Sequence, residues 1–297
     1  MAESPAHRFG QIIGGILEVA IEPVLQQFAQ EHGLYLDQKG PRLARQGNKV
    51  SWTDLNGNVH DLDFVLEKDG SPAHKGTPVA FIEVAWRRYT KHSRNKAQEI
   101  QGAIIPLAET YKNVAPFLGA ILAGVFTEKA LSQLRSLGFT VLYFPYKNVV
   151  RAFSLVNIGA AFDEDTPDSE YAQQILAWEA LSVEEYTSVA SALIKDHAEE
   201  VAQFMHALKQ AITRKIESVR VLPLHGTAFN GDSIERAIEF IEKYDEVDRL
   251  KPFVRYEIEI RYMNGDLING RFEDRERAIN FLHSFQPPDR KPDRAIY

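Results

Sequence analysis

The sequence predicts an α/β fold in which a mixed central sheet is flanked by helices. Two observations lead to this fold class. Hydrophobic patterns of helical and extended spacing follow one another as helix, three strands, helix, strand, helix and strand. Helix-length segments also separate the later strands, which indicates crossover connections between them. Together these observations predict an α/β layer with a mixed sheet.

The first elements come before the most apolar strand of the chain. Apolar residues at helical spacing predict a helix over residues 9–32. Two short strands follow over residues 49–54 and 58–67. Asn56-Gly57 joins them, and this dipeptide between alternating runs is typical of a hairpin because both residues tolerate a positive φ. Residues 78–86 are almost entirely apolar, which predicts a strand at the centre of the sheet.

The elements that follow are shorter. Thr127 is expected to cap a helix that stops at Gly138. Ser182-x-x-Glu185 is a capping box, and it opens a long helix whose apolar stripe is either core or a dimer seam. The predicted elements are a helix over 93–111, strands over 119–126 and 139–144, the long helix from 182 to about 218, strands over 218–224, 253–262 and 266–272, and helices over 233–244 and 274–285.

Composition divides the chain into three regions. Residues 1–160 carry 17 Lys and Arg against 14 Asp and Glu, and we expect any polyanion to contact this region. Residues 161–217 form an acidic linker, centred on residues 163–170, and the long helical segment. Residues 218–297 form a small α/β C-terminal subdomain. Together, residues 161–297 carry 17 Lys and Arg against 27 Asp and Glu.

The composition also excludes several classes of protein. The 297 residues include no Cys, which excludes disulfides, thiolate zinc sites and a cysteine nucleophile. A chain without Cys and without a charged-then-apolar leader at Met1 is expected to be cytoplasmic. No apolar run approaches the length that crosses a bilayer, so we expect no membrane partner. Motifs for phosphate loops, dinucleotide binding and serine hydrolases are absent from the sequence.

Two carboxylates lie in apolar segments, where an ionised acid is costly unless it is paired or binds a metal. Glu83 lies within the strand over residues 78–86, and Asp63 lies in the preceding strand. If the strands pair in a suitable register, the two side chains converge on one face of the sheet. Such a pair suits Mg²⁺, with Mn²⁺ as a substitute. Asp61 is an alternative to Asp63 on the same strand face, and a structural ion pair is the alternative role for Glu83.

A basic segment follows Glu83 directly. Residues 86–96 contain five permanent positive charges and no acid. Cations beside a metal-binding carboxylate pair suit phosphodiester chemistry, because they hold the backbone phosphates. A solvated loop is the alternative interpretation of this segment. The expected phosphate-binding residues are Arg87, Arg88, Lys91 and Arg94, with Lys96 closer to the site.

Asp63 and Glu83-Val84-Ala85 lie on consecutive predicted strands, and a helix, a strand, a helix and a strand follow them. This arrangement resembles the PD-(D/E)xK restriction-endonuclease-like nuclease superfamily. The resemblance covers about residues 9–155. It implies a restriction-endonuclease-like mixed central sheet, a Mg²⁺-dependent nuclease, two acidic metal ligands and a lysine that helps to activate water. Asp63 and Glu83 match the two ligands. Glu18 in the first helix matches an additional acid near such sites, and Glu22 is the alternative.

The chain departs from the family pattern at one position. Ala85 occupies the place of the family's lysine, two residues after Glu83. Some members carry an equivalent amine on the following helix, which makes Lys96 the first candidate and Lys91 or Arg88 the next. Gln98 and Gln101 are one helical turn apart and are expected to line the DNA-binding cleft.

The sequence therefore predicts a Mg²⁺-dependent endonuclease of the type II restriction kind that hydrolyses double-stranded DNA as a homodimer. A catalytically inactive DNA-binding protein of the same fold and a DNA-repair nuclease are the alternatives. A protein-interaction module, in which the acidic C-terminal half recognises a partner, is a third hypothesis.

Overall fold

The computed structural model describes residues 4–112, 114–213, 216–224, 226–247, 253–263 and 265–285, with the side chains of residues 90–92 excepted. The chain forms two compact units. The first contains Met1–Tyr111 and Pro116–Ile212, and the second contains Lys112–Ala115 and Thr213–Tyr297. Residues 161–212 therefore fall within the first unit.

The first unit is built on a five-stranded mixed sheet. Its strands, in chain order, are β1 (Leu34–Gln38), β2 (Val50–Thr53), β3 (Val59–Leu62), β4 (Phe64–Lys68), β5 (Thr77–Arg87), β6 (Phe117–Gly124) and β7 (Thr140–Pro145). The sheet has the order β1-β4-β5-β6-β7. The pairs β1–β4 and β4–β5 are antiparallel, and the pairs β5–β6 and β6–β7 are parallel. This architecture confirms the predicted α/β fold with a mixed central sheet.

Helices cover both faces of this sheet. They are α1 (Pro5–Glu31), α2 (Thr90–Thr110), α3 (Glu128–Ser136), α4 (Tyr146–Ser154), α5 (Asp168–Glu179), α6 (Val183–Asp196) and α7 (Ala198–Ile212). One hydrophobic core joins the sheet to α1 and to α4, α5, α6 and α7. A second core joins the opposite face to α2, α3 and the β2–β3 hairpin. Successive residues of β5 therefore point alternately into the two cores.

Several helix ends have the predicted caps. The side chain of Thr127 accepts a hydrogen bond from the backbone N–H of Ala130 and begins α3. Ser182 and Glu185 form the reciprocal capping box, because each side chain accepts a hydrogen bond from the backbone N–H of the other residue. Gly138 follows α3 with a φ of 86°, a conformation that favours glycine.

The predicted strand over residues 58–67 is wrong as a single element. It divides at Asp63 into β3, which pairs only with β2, and β4, which belongs to the central sheet. The β2–β3 hairpin is thus a separate two-stranded sheet. β1 was not predicted, because LYLDQ directly after a helix carries too short a pattern to indicate a strand.

The predicted long helix is also wrong, because α6 and α7 are separate helices on either side of His197. The His197 side chain is buried, and its Nδ1 lies 3.0 Å from the carbonyl oxygen of Leu193. Its ring packs edge-on against Phe144, with the ring centroids 4.8 Å apart. Packing of His197 into the core thus accompanies the break. α5 covers part of the region predicted as a linker, and α4 was not predicted.

The second unit is a small α/β unit. Its elements are β8 (Ile216–Pro223), β9 (Phe229–Gly231), α8 (Ile234–Lys243), β10 (Tyr256–Tyr262), β11 (Leu267–Phe272) and α9 (Arg275–His283). The antiparallel sheet has the order β11-β10-β8-β9, and α8 and α9 share its hydrophobic core. The short strand β9 was not predicted, and the other elements of this unit match the predicted ones to within three residues at each end.

Helix α1 meets the length and composition of a membrane span, with a mean hydropathy of 1.3 in its most apolar window. The expectation that no apolar segment reaches this length was therefore wrong. In the structure, nine residues of α1 from Phe9 to Ala29 are buried in the core of the first unit. This packing is compatible with a soluble protein, in which a core helix satisfies the same criteria.

Candidate active site

Sheet register brings Asp63 and Glu83 together. The last ladder pair between β4 and β5 is Phe64 with Ile82, so Asp63 and Glu83 occupy the next opposed positions. Asp63 does not continue the backbone ladder. Instead, its Oδ2 accepts a hydrogen bond of 2.7 Å from the backbone N–H of Val84. The break between β3 and β4 thus points the Asp63 carboxyl group at β5, beside Glu83.

Burial gives this pair unusual proton affinities. Glu83 is 8% exposed. Its burial, with the neighbouring charge of Asp63, raises its pKa to about 8. Burial also raises the pKa of Asp63, although the Val84 N–H and the Glu83 carboxyl act in the opposite direction. Hydrogen bonding between the two side chains contributes as well, because it raises the pKa of Glu83 and lowers that of Asp63.

Lys96 is the amine that α2 brings to the pair. Its Nζ lies 4.0 Å from Oε2 of Glu83 and 3.4 Å from Oε2 of Glu99. Arg87, at the end of β5, also contacts Glu99 at 3.4 Å. Glu99 was not identified from the sequence, although its position three residues after Lys96 on a helix was the available signal. It holds both cations beside the acid pair.

Glu18 and Lys39 lie within electrostatic range of Asp63. Burial is the largest cause that raises the pKa of Glu18, and the charge of Asp63 raises it further. The charge of Lys39 lowers it. Lys39 follows β1 and, by continuation of the β1–β4 register, is opposite Asp63. The row Lys39, Asp63, Glu83 therefore crosses three neighbouring strands. Lys39 was missed because β1 was not predicted. The alternative acid, Glu22, instead accepts a hydrogen bond from the side chain of Gln38.

Asp61 lies outside the site. Its carboxylate accepts hydrogen bonds from Nζ of Lys49 at 2.6 Å and from Oγ of Ser51 at 2.7 Å. These contacts lower its pKa, with the Lys49 bond as the largest cause. Asp61 is exposed on β3, whereas Asp63 is mostly buried. The structure thus distinguishes the two acids that the sequence left as alternatives.

Arg88 is held by aromatic rings. Its guanidinium lies 4.7 Å from the ring centroid of Tyr171 and 5.5 Å from that of Phe162. It also donates a hydrogen bond to the hydroxyl group of Tyr171. Arg88 therefore connects the end of β5 to α5. This role in the architecture was not expected from the sequence.

The other predicted DNA-binding residues lie on α2. Arg94 and Gln98 are exposed. Gln101 accepts a hydrogen bond from Nε2 of Gln133, and it thereby connects α2 to α3 rather than lining the cleft. The side chain of Lys91 lies outside the described residues.

An open cleft of about 600 Å³ lies beside Lys96. The start of α1, the end of β5, Lys96 of α2 and the loop that leads into α5 all contribute to its lining. Its lining includes Gly14, Val84, Ala85, Trp86, Arg87, Arg88, Tyr89, Lys96, Asp163, Glu164, Asp168 and Tyr171.

The donor set at the pair suits a hard divalent cation. Among the described residues, no group of three or more His, Asp or Glu side chains is arranged to hold a metal ion. Asp63 and Glu83 instead provide two adjacent carboxyl groups, and Mg²⁺ is commonly bound through one or two carboxylates while it keeps several waters. Burial raises the pKa of both groups, and a bound cation would favour their ionised forms.

No protein-family model and no curated protein matches the chain. Among solved structures, the chain is similar to the crystal structure of a protein of unknown function, AF1548. The two are 11% identical, the match covers 65% of this chain and 98% of that chain, and the TM-score is 0.27. A likeness of this strength does not indicate a function.

Proposed function

We propose that this protein is a Mg²⁺-dependent DNA endonuclease, with Mn²⁺ as a substitute cation. The observation that carries the proposal is the convergence of Asp63 and Glu83 across β4 and β5, with Lys96 within 4.0 Å of Glu83. A structural role would pair each acid with its own cation. Here neither carboxyl group has an ion pair closer than 4.0 Å among the described residues: Lys96 lies 4.0 Å from Glu83 and is shared with Glu99, and Lys39 acts on Asp63 through its charge. The resemblance to the PD-(D/E)xK superfamily points to the same chemistry.

Each side chain has a distinct role in this proposal. Asp63 and Glu83 would hold the cation, and Glu18 adds a third negative charge nearby. When bound, the cation supplies an activated water and stabilises the leaving oxygen. Lys96 positions the water by hydrogen bonding, since no lysine occupies the position of Ala85. Arg87 and Arg94 attract the phosphates of the DNA backbone.

A catalytically inactive DNA-binding protein is the second candidate. Two observations favour it: Ala85 cannot supply an amine, and Nζ of Lys96 lies closer to Glu99 than to Glu83. In that case the protein would bind DNA through the same cations and would cleave none. Metal-dependent nicking distinguishes the two candidates.

The remaining features are proposed on the same basis. We place the reaction in the cytoplasm as part of restriction, with DNA repair as the alternative. A homodimer would supply two sites for double-strand cleavage. Sedimentation of the protein with and without duplex DNA tests this state.

Cleavage of DNA by purified protein tests the proposed function. We expect supercoiled plasmid and long duplex DNA to be cut with Mg²⁺ or Mn²⁺ and to stay intact in EDTA. D63N and E83Q should each lower the rate by about 10³-fold, because each removes a charged ligand of the cation.

D61N is the matched control, since Asp61 lies two residues before Asp63 and is exposed. It should cleave at the wild-type rate. Two results would reject the nuclease proposal. One is cleavage by E83Q at the wild-type rate, and the other is the absence of cleavage by the wild type on a broad panel of DNA.

A further inference from the structure

The cleft beside Lys96 has two walls of opposite charge. Arg87, Arg88 and Lys96 line the wall formed by β5 and α2. Asp163, Glu164 and Asp168 line the same cleft from the loop before α5 and the first residue of α5, and we call this part of the lining the acidic wall. These acids belong to the segment from residue 163 to residue 185, which contains eight acids and no base. A nuclease cleft that faced only phosphates would not be expected to carry this acidic wall, because carboxylates repel them.

The acidic wall is a built part of the fold. The hydroxyl group of Tyr89 donates a hydrogen bond of 3.0 Å to the carbonyl oxygen of Asp163. The Asp163 carboxylate in turn accepts hydrogen bonds from the backbone N–H of Asp165 and the hydroxyl group of Thr166. Arg88 joins the base of this wall to β5 through Tyr171. The separation of the two walls is therefore set by specific contacts.

The cleft has the volume of a small-ligand site rather than that of a groove for a paired duplex. Its volume of about 600 Å³ lies within the range of about 300–1,000 Å³ that is usual for small-molecule and cofactor sites. A paired duplex presents phosphates on both strands, so a backbone held by the cationic wall would bring the complementary backbone towards the carboxylates. A single strand has phosphates on one side and base edges on the other.

Base edges have groups that carboxylates recognise. The exocyclic amino groups of cytosine and adenine donate hydrogen bonds, and Asp or Glu accepts them. Once a base is unpaired, these amino groups are available to Glu164 and Asp168. The ring of Tyr89 lines the same cleft and offers a surface on which a base can stack.

We infer that the cleft binds an unpaired DNA strand, with phosphates on Arg87 and Lys96 and amino-bearing bases against Glu164 and Asp168. This inference rests on the proposed function and names the form of the strand that reaches the site. Within duplex DNA, the cleft would then accept a strand that is locally opened, or that forms a flap or a single-stranded end.

Binding without metal tests the inference separately from cleavage. Fluorescence anisotropy in EDTA would compare a twelve-nucleotide (CA)₆ strand with the same sequence in a paired duplex, at one salt concentration. The wild type should bind the single strand at least tenfold more tightly. The variant E164Q/D168N should lose most of this preference, because the acidic wall no longer repels the second strand or accepts from amino groups.

D165N/E170Q is the matched control. It also replaces two acids of the same segment by amides, so its change in net charge equals that of E164Q/D168N. Asp165 and Glu170 do not line the cleft. This control should keep the wild-type preference. A T₁₂ strand, which lacks amino groups on its bases, should bind the wild type more weakly than (CA)₆ does.

Three results would overturn the inference. They are equal wild-type affinity for single strand and duplex, an equal gain for both ligands in E164Q/D168N, and an equal loss of preference in the control. The second result would show that the acids repel all nucleic acid. Thermal melting of each variant confirms folding. If the strand preference is as expected and no DNA is cleaved with Mg²⁺, the proposed function fails while the binding site remains.

Discussion

Two groups of buried acids lie on neighbouring strands of the central sheet, and the protein treats them differently. Glu67 on β4 is fully buried, and Arg42 donates to both of its carboxylate oxygens, at 2.5 Å and 3.0 Å. Asp37 on β1 is contacted by Arg42 at 2.8 Å and by Arg45 at 3.2 Å. These two acids are compensated by two guanidinium groups.

The Asp63–Glu83 pair lacks such compensation. No arginine contact to either carboxyl group is present in the described part of the chain, and Lys96 is 4.0 Å from Glu83. The difference appears in the proton affinities, because burial raises the pKa values of both Asp63 and Glu83. A buried acid by itself therefore does not indicate a site. What distinguishes the pair is that no guanidinium group of the described residues neutralises it, as the proposed cation site requires.

The largest expected effect in this comparison is on stability at Arg42. R42A should lower the free energy of unfolding by about 3–5 kcal/mol, because it leaves Glu67 buried without its partner. Arg42 also donates to the carbonyl oxygens of Ser71 and His74. Urea denaturation at pH 7 measures the change.

R135A is the control for R42A, since Arg135 pairs with Glu128 on an exposed helix surface. Its cost should be less than about 1 kcal/mol. An equal cost for the two variants would contradict the assignment of the Glu67 group to structure.

A smaller effect is expected in the pH dependence of stability. The folded-state pKa of Glu83, about 8, lies above its ordinary value of 4.5. The folded protein therefore holds a proton that the unfolded chain loses, and metal-free stability should fall as pH rises from about 4.5 through 8. Each unit of difference corresponds to about 1.4 kcal/mol.

Melting temperatures in EDTA between pH 5 and pH 9 test this expectation. E83Q should flatten the decline, because its amide does not titrate. E109Q, which changes an exposed acid on α2, should keep the wild-type slope. A wild-type melting temperature that does not fall, or that falls equally in E83Q, would contradict the raised pKa.

The sequence identified candidate residues of the site better than it predicted the contacts between them. Asp63 and Glu83 were identifiable because apolar neighbours make an ionised acid costly at those positions. Their opposed register was not identifiable, since it depends on a strand break at Asp63 that the alternating pattern of residues 58–67 conceals. Lys39 and Glu99 were missed for a similar reason: one follows a strand that was not predicted, and the other resembles an ordinary surface acid.

The compensated acids could not be identified from the sequence either. Glu67 and Asp37 lie in half-polar segments, and their partner Arg42 comes from a loop whose path no periodicity predicts. Long-range ion pairs of this kind depend on loop geometry. The first residues of helices with capping signals, by contrast, followed from local chemistry at Thr127 and Ser182.

The smallest effect concerns the two lysines of the site. K96A should lower kcat of DNA cleavage by about 10²-fold, because we propose that Lys96 positions the attacking water. K39A should lower kcat/KM by about threefold to tenfold through weaker phosphate attraction. K129A, an exposed lysine on α3, serves as the control. A larger loss of kcat in K39A than in K96A would contradict these assignments, because it would place Lys39 rather than Lys96 at the reacting groups.

Calorimetric titration of the metal-free protein with Mn²⁺ tests most directly whether the acid pair is a cation site. The account predicts saturable binding by the wild type, with release of a proton at pH 7, and loss of binding in E83Q and D63N. D61N should bind like the wild type. The absence of binding by folded wild type, or undiminished binding by both E83Q and D63N, would contradict the account.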